Sequence, residues 1–296
     1  MQGVRRLSLQ PTVKDQFDRT EYENWIIGDD IKFNQQWSAL VGVNYAGITS
    51  GSQPSAYDKS AVTPSLSLIY KPIPQISTYA TYIQSLEQGT IVPAGFSNMG
   101  QVFTPLVSQQ YEVGAKATVG GVLLTGALFR IDKANQYQIN TSPLPTYVQD
   151  GREVHQGIEL TATGKVTDRL TLWAGLTFFD ATVERTNDPT LVGKTPSDVA
   201  DQLAKVYAEY NLPWVKGLTL QGGIYYTGPQ FADAENTQRL PGYIIGDLGA
   251  RYEMKIYDYP TTFRLYVTNV TDKKYWANSN YVGDPCTIAF STQVKF

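Results

Sequence analysis

One feature constrains this chain more than any other. Apolar and polar residues alternate with a period of two, in one long segment after another. Trp37, Ala39, Val41, Val43 and Tyr45 alternate with Ser38, Gly42 and Asn44. Leu170, Leu172, Ala174, Leu176 and Phe178 alternate with Thr171, Gly175 and Thr177. The same rhythm runs through QGIELTATG, LAKVYAEY, GLTLQGGIYY and TFRLYVTN. Successive side chains of a strand point to opposite faces, so each segment predicts a strand with one apolar and one polar face. About fourteen such segments can be traced, each of roughly ten residues or more. Globular strands average only ~5–6 residues, whereas a tilted strand of ~9–11 residues crosses a bilayer.

The connections sort by length. Short turns fall at Asn34–Gln36, Lys71–Gln75, Gly120–Gly121, Val166–Arg169, and at the NLPWVKG and IYDYP corners. Longer loops are expected at about 49–60, 87–108, 185–198, 229–240 and 272–285, with TSPLP (about 140–145) a short exception on that side. Short turns at one end and long loops at the other are the pattern of an up-and-down outer-membrane barrel. In hydrocarbon every backbone N–H and C=O must pair within the protein, so a spanning sheet has to close on itself.

Composition supports a wall with a wet, weakly charged inner face. Charged residues are 17% of the chain, against ~25% in soluble domains, yet the mean hydropathy is only -0.25. Tyr, Gly, Thr, Ser, Gln and Asn make up the difference. Lys205, Glu209, Glu159 and Arg264 fall on the polar phase, so they are expected to face inward. On the lipid face at mid-membrane, Lys or Arg would cost about 2–4 kcal/mol. Aromatics near segment ends, such as Trp37, Tyr45, Tyr210, Trp214, Tyr226 and Phe296, suit the two interfacial girdles. The final stretch, TIAFSTQVKF, puts Ile288, Phe290, Val294 and Phe296 on one phase, as in a last stave that pairs with another strand when the barrel closes.

Several classes are excluded or disfavoured. The net charge of -3 leaves no basic footprint for nucleic acid. One Cys (Cys286) and one His (His155) provide neither an internal disulfide nor a zinc cluster. A Ser-His-Asp site would have to use His155, which opens a strand pattern with no nucleophile-elbow glycines nearby, so an enzyme is not expected. MQGVRRLSLQPTVKD has no apolar core of signal-peptide length, and no stretch approaches a membrane helix.

Several stretches, taken together and in order, resemble a known family. They are DDIKFNQQWSALVGVNYA (29–46), PSLSLIYKPIPQISTYATYIQSLEQG (64–89), QQYEVGAKATVGGVLLTGALFRIDKANQ (109–136), DGREVHQGIELTATGKVTDRLTLWAGLTFFDA (150–181), LPGYIIGDLGARY (240–252) and YVTNVTDKKYW (266–276). The chain resembles the C-terminal barrel portion of a TonB-dependent outer-membrane receptor of the ferric-siderophore type. One departure is Cys286 in GDPC, where the family usually carries an arginine.

The resemblance implies an all-β, antiparallel up-and-down transmembrane barrel, with about fourteen strands present of an expected twenty-two. The whole chain, 1–296, would be that barrel domain, with the plug domain and the TonB-contacting segment absent, as in a C-terminal fragment. It implies an outer-membrane location and a ferric siderophore as ligand. Iron would enter only as a chelate, with no cofactor and no protein metal ligand. TonB would engage only through the absent N-terminal region. Because binding sites in that family draw on loop and lumen aromatics, the aromatics on the long loops, Tyr57, Phe96, Phe103, Phe231, Trp276 and Tyr281, become candidates for ligand contact. Ile288, Phe290, Val294 and Phe296 become candidates for the signal read by the outer-membrane assembly machinery. Two alternatives stay open: a complete passive channel of fourteen strands, and a soluble β-rich binding protein or adhesin. For a chain lacking its first strands, both an open curved sheet and a narrower ring are expected possibilities.

Overall fold

A computed structural model describes residues 20–51 and 57–296. The opening stretch, read above as lacking a signal-type core and as part of the single domain, lies outside the described residues. Nearly all of the regular structure in the described chain is strand. In order it forms β1 (Thr20–Lys32), β2 (Trp37–Ser50), β3 (Tyr57–Ile73), β4 (Ile76–Glu87), β5 (Leu106–Val119), β6 (Gly121–Ile139) and β7 (Thr146–Lys165). There follow β8 (Leu170–Arg185), β9 (Gln202–Asn211), β10 (Leu218–Thr227), the short pair β11 (Gln230–Phe231) and β12 (Arg239–Leu240), then β13 (Tyr243–Ile256), β14 (Tyr259–Thr268) and β15 (Thr287–Val294). A single 3₁₀ turn, Pro189–Leu191, interrupts the strands.

Thirteen of these strands form one antiparallel sheet in strict sequence order, β1 through β10, then β13, β14 and β15. The β11–β12 pair is a separate ladder within a loop. The sheet runs from β1 at one edge to β15 at the other, and the two edges do not pair among the described residues. This corrects the expectation that the terminal strand is closed over by a neighbour: β15 bonds only to β14. Among the described residues the wall is therefore an open up-and-down sheet with barrel order.

Short turns carry the chemistry that reverses the chain at one end. Asn34 Oδ1 accepts from the backbone N–H of Gln36 at 2.8 Å and of Trp37 at 2.9 Å. Thr167 Oγ1 does the same for Arg169 and Leu170. Gly120 alone links β5 to β6 at φ 59, and Tyr257 and Asp258 link β13 to β14 at φ 48 and 70. Two successive positive φ values match the right-handed strand twist in a two-residue hairpin.

The registers put the predicted phases on opposite faces. Leu265 stands opposite Phe290 and Val267 opposite Ile288 on one face, while Arg264 stands opposite Ser291 on the other. The apolar face is bare: Ile224 is 62% and Leu248 56% exposed. A continuous apolar face of this size is a lipid-facing surface, not a core. Aromatic residues bound it. Trp37 packs on Tyr70, with centroids 4.5 Å apart, and Tyr259 lies against Phe296 near the short-turn end. Tyr82 packs on Tyr111 toward the other end. From Trp37 to Tyr45 is eight residue steps, ~26 Å along the strand and roughly 20 Å once tilted, close to the ~25 Å apolar band of such walls.

Beyond the upper aromatics the outer face changes character. The long strands β6 and β7 and their neighbour β8 carry Arg130, Asp132, Arg152 and Glu184 there. Arg152 reaches Asp132 at 2.9 Å and Glu184 at 3.4 Å, and Arg130 reaches the same two carboxylates. Charges on this phase mark where the strands leave hydrocarbon for water.

The inner face satisfies its own charges. Glu209 accepts from Gln221 and pairs with Arg251 at 3.2 Å, and Tyr79 donates to Glu112 at 2.6 Å. Lys205, Glu159 and Arg264 lie on this phase, as expected. Glycines stand opposite large inner side chains: Gly114 opposite Tyr79, Gly157 opposite Phe129, Gly249 opposite Tyr266. At each, an added Cβ would meet the facing ring.

Candidate functional site: the loop mouth

All connections on the side opposite the short turns belong to one mouth: residues 51–56, 88–105, 140–145, 186–201, 228–242 and 269–286. The first is shorter than expected, because β2 and β3 extend further, and its residues 52–56 are not described. The rest build two lobes.

The first lobe is the 88–105 loop folded onto the turn at 140–147. The loop is pinned on itself by Val92 N–H to Gln101 O at 2.9 Å and Phe103 N–H to Thr90 O at 3.0 Å. Positive φ at Gly95 and Gly100 permits the reversal. Its docking is specific. Asn98 and Tyr147 exchange two hydrogen bonds, side-chain amide to Tyr147 O at 2.9 Å and Tyr147 N–H to Asn98 Oδ1 at 3.0 Å. Ser97 N–H reaches Pro145 O, and Gln149 reaches Thr104 O. The rings of Phe96 and Phe103 both turn toward Tyr147, at centroid distances of 5.3 and 6.2 Å. Met99 and Leu144 stay exposed on the outer surface.

The second lobe locks three loops together. Asp198, at φ 62, accepts from Ser279 twice, from the backbone N–H and from the hydroxyl, each at 2.7 Å. Asn236 and Thr195 exchange a pair of bonds at 2.8 and 2.9 Å. Gln230 donates to Ala277 O at 3.0 Å, and Asp198 N–H to Phe231 O at 2.8 Å. Within the 269–286 loop, Trp276 and Val282 form an isolated bridge, and Tyr275 lies 4.1 Å from Tyr243, ring to ring. Burial pushes the Tyr275 hydroxyl pKa up, with nearby Tyr243 and Asp284 adding to it.

The six aromatic candidates separate accordingly. Tyr57 is not a loop residue. It opens β3, is 0% exposed, and accepts from Gly89 N–H at 3.0 Å, so it anchors the foot of the 88–105 loop. Phe96 and Phe103 share the Tyr147 platform. Phe231 sits half-buried in β11. Trp276 and Tyr281, 47% and 69% exposed, project from one hairpin tip and offer open aromatic surface. Tyr147, which organises the first lobe, and Asp198, which organises the second, were not singled out from the chain alone; a Tyr inside a strand pattern and an Asp in TPSDVAD carry no local signal of such roles. Ile288, Phe290, Val294 and Phe296 lie on the outer phase of β15 and beyond its end. His155 faces Glu153 Oε2 at 3.0 Å and the edge of Phe179. Among the described residues no three His, Cys, Asp or Glu side chains gather to hold a metal ion.

Comparison with known proteins agrees with the architecture. Residues 5–270 match the family described as TonB dependent receptor-like, β-barrel. The ferrichrome receptor FcuA of Yersinia enterocolitica is 31% identical over 281 residues, covering 88% of this chain and 36% of that protein. The ferrioxamine receptor of the same organism is 32% identical over 217 residues, covering 71% of this chain and 29% of that protein. Among solved structures, BauA, the ferric preacinetobactin receptor of Acinetobacter baumannii, superposes with a TM-score of 0.80 at 32% identity, over 94% of this chain and 43% of that one. The chain thus spans about a third of the length of these curated relatives. An apolar outer band, a polar inner face and loops gathered at one end suit the bacterial outer membrane, where such barrels reside. The chain belongs to the TonB-dependent receptor-like β-barrel family.

Proposed function

We propose that this chain supplies the wall and much of the mouth of a receptor that captures a ferric siderophore at the cell surface. The observation that carries the reading is the sorting of the connections. Every loop of sixteen or more residues lies on one end of the sheet, and there the loops are bonded into two shaped lobes instead of trailing free. Loops ordered in this way are binding surfaces mounted on a rigid scaffold. The named relatives, receptors for ferrichrome, ferrioxamine and ferric preacinetobactin, support a ferric chelate as the ligand. Iron is then substrate, held by its own chelator, and the chain works as a transport protein, not an enzyme. In a protein that also carries a plug, transfer inward would draw on TonB. Ile288, Phe290, Val294 and Phe296 would serve the assembly machinery as the insertion signal. The test is binding of ferrichrome by the folded chain in detergent micelles, read as quenching of tryptophan fluorescence. Saturable quenching that iron-free ferrichrome does not reproduce is expected. Absence of saturable quenching at any concentration up to the millimolar range would overturn the reading.

A further inference from the structure

The two free edges of the described sheet run the same way. β1 starts at the mouth, with Thr20 opposite Ser50, and descends to Lys32 opposite Ser38 at a short turn. β15 also starts at the mouth, with Thr287 opposite Thr268, and descends to Val294 opposite Thr261. Thirteen strands laid antiparallel in order require this, because the first and last of an odd set are parallel. The N–H and C=O groups along such an edge need partners inside a membrane. β15 brought to β1 would pair in parallel, within one chain or between two copies whose mouths share a side. A β1–β1 or β15–β15 pair of two copies is antiparallel only with one mouth turned to the opposite side of the membrane. An all-antiparallel ring therefore needs a further odd number of strands, which gives the even total of single-chain bacterial barrels.

The β1 edge also carries a charge where the wall meets lipid. Trp25, Ile27, Asp29 and Ile31 stand opposite Tyr45, Val43, Val41 and Ala39, so Asp29 lies on the outer phase. On the neighbouring strand Trp37 and Tyr45 bound the apolar band, and Val41 lies midway between them. Trp25 and Ile27, on the same phase as Asp29, are 65% and 80% exposed. Glu23, the carboxylate on that phase nearer the mouth, accepts from Trp25 Nε1 at 2.8 Å, at the aromatic boundary. Asp29 has no such partner: among the described residues no hydrogen bond or ion pair reaches it. A carboxylate facing hydrocarbon is destabilising, and opposite charges on facing residues of neighbouring strands attract.

We propose that the free edge of β1 takes one end of a further wall segment with an odd number of strands, whose joining strand sets a Lys or Arg against Asp29. That strand runs from the short-turn end to the mouth, antiparallel to β1, with its cation on the outer phase. The ion pair across the seam fixes the register, since a slip of one residue turns the cation to the lumen. β15 (Thr287–Val294) carries no charged residue, so the other seam has no such key.

The test uses the whole chain folded in micelles and two synthetic strands of alternating Leu and Thr, matched to the 13 residues of β1. They differ only in carrying Lys or Glu at the outward position that faces Asp29, and each bears a spin label at its C-terminus. The Lys strand slows hydrogen exchange of the β1 amides about tenfold more than the Glu strand, and its label broadens resonances near Thr20, the mouth end. Asp29→Asn removes most of that preference, while the β15 amides respond to both strands alike. In a Cys286→Ser background, Ile27→Cys and Phe290→Cys form no disulfide with each other, within a chain or between chains. Equal protection of β1 by the two strands, protection by neither, broadening at the Lys32 end, or a disulfide between positions 27 and 290 overturns the proposal. None of these outcomes touches the receptor reading.

Discussion

Replacing Asp198 tests whether the second lobe is one unit. The carboxylate is half-buried and accepts two short bonds from Ser279. Hydrogen bonds to a charged group contribute roughly 1.5–3 kcal/mol each when buried; allowing for partial exposure, about 2 kcal/mol for the pair is reasonable. Asp198 also sits at φ 62, where alanine pays about 1 kcal/mol that Asp and Asn largely escape. Asp198→Ala should therefore weaken the loop junction by about 3 kcal/mol, a little over a hundredfold in local opening. Asp198→Asn keeps the backbone preference and a neutral acceptor, so it should lose about 1 kcal/mol, or fivefold. Local opening of this kind is read by hydrogen exchange. In the folded protein in micelles, amides of 277–283 should exchange about a hundredfold faster in Asp198→Ala. Those of 228–232 should follow, because Gln230 hangs on Ala277 O. The 88–105 loop, in the other lobe, should be unmoved. Unchanged exchange at 277–283 in Asp198→Ala, or equal effects of Ala and Asn, would refute the reasoning.

Four further outcomes are expected. Gly114→Ala places a Cβ 2.6 Å from the Tyr79 ring and 2.8 Å from Gly126 O, an overpacking worth about 1–3 kcal/mol; urea unfolding in vesicles should show it, and truncating Tyr79 should relieve only the part due to the ring. Leu265→Lys faces lipid and should cost about 2–4 kcal/mol, whereas Thr262→Lys, on the inner phase of the same strand and opposite Glu253, should escape the lipid penalty; equal losses by the same assay would discredit the assignment of faces. Because Asp233 and Asp272 are depressed when folded, their contribution is present above the unfolded carboxylate pKa, ~3.9, and is lost as pH falls through the lower folded value. Exchange protection in 228–242 and 269–286 should thus be flat from pH 7 to about 5 and drop only below about 4. Phe296→Ala should leave the folded wall intact but slow its assembly into membranes, seen as delayed acquisition of protease resistance on mixing with vesicles.

What the chain determines by itself is the wall. A two-residue period sustained over long segments places Leu265 and Lys205 on opposite faces whatever the neighbours are, because strand geometry is local. Asn34, Thr167, Gly120 and the Tyr257–Asp258 pair mark the tight turns by their own side chains or backbone freedom, so the sorting of short and long connections is legible too. The mouth is not. Tyr57 reads as a loop aromatic, yet the register of β2 against β3 carries the ladder up to it, and the 88–105 loop then buries it. Tyr147 and Asp198 acquire their roles only from partners 49 and 81 residues away. Nor does periodicity settle closure: alternation is identical in an edge strand and a paired one, and the pairing of β15 with β14 alone is seen only among the described residues. Short-range stereochemistry thus specifies each stave, while contacts between segments distant along the chain decide how the loops lock.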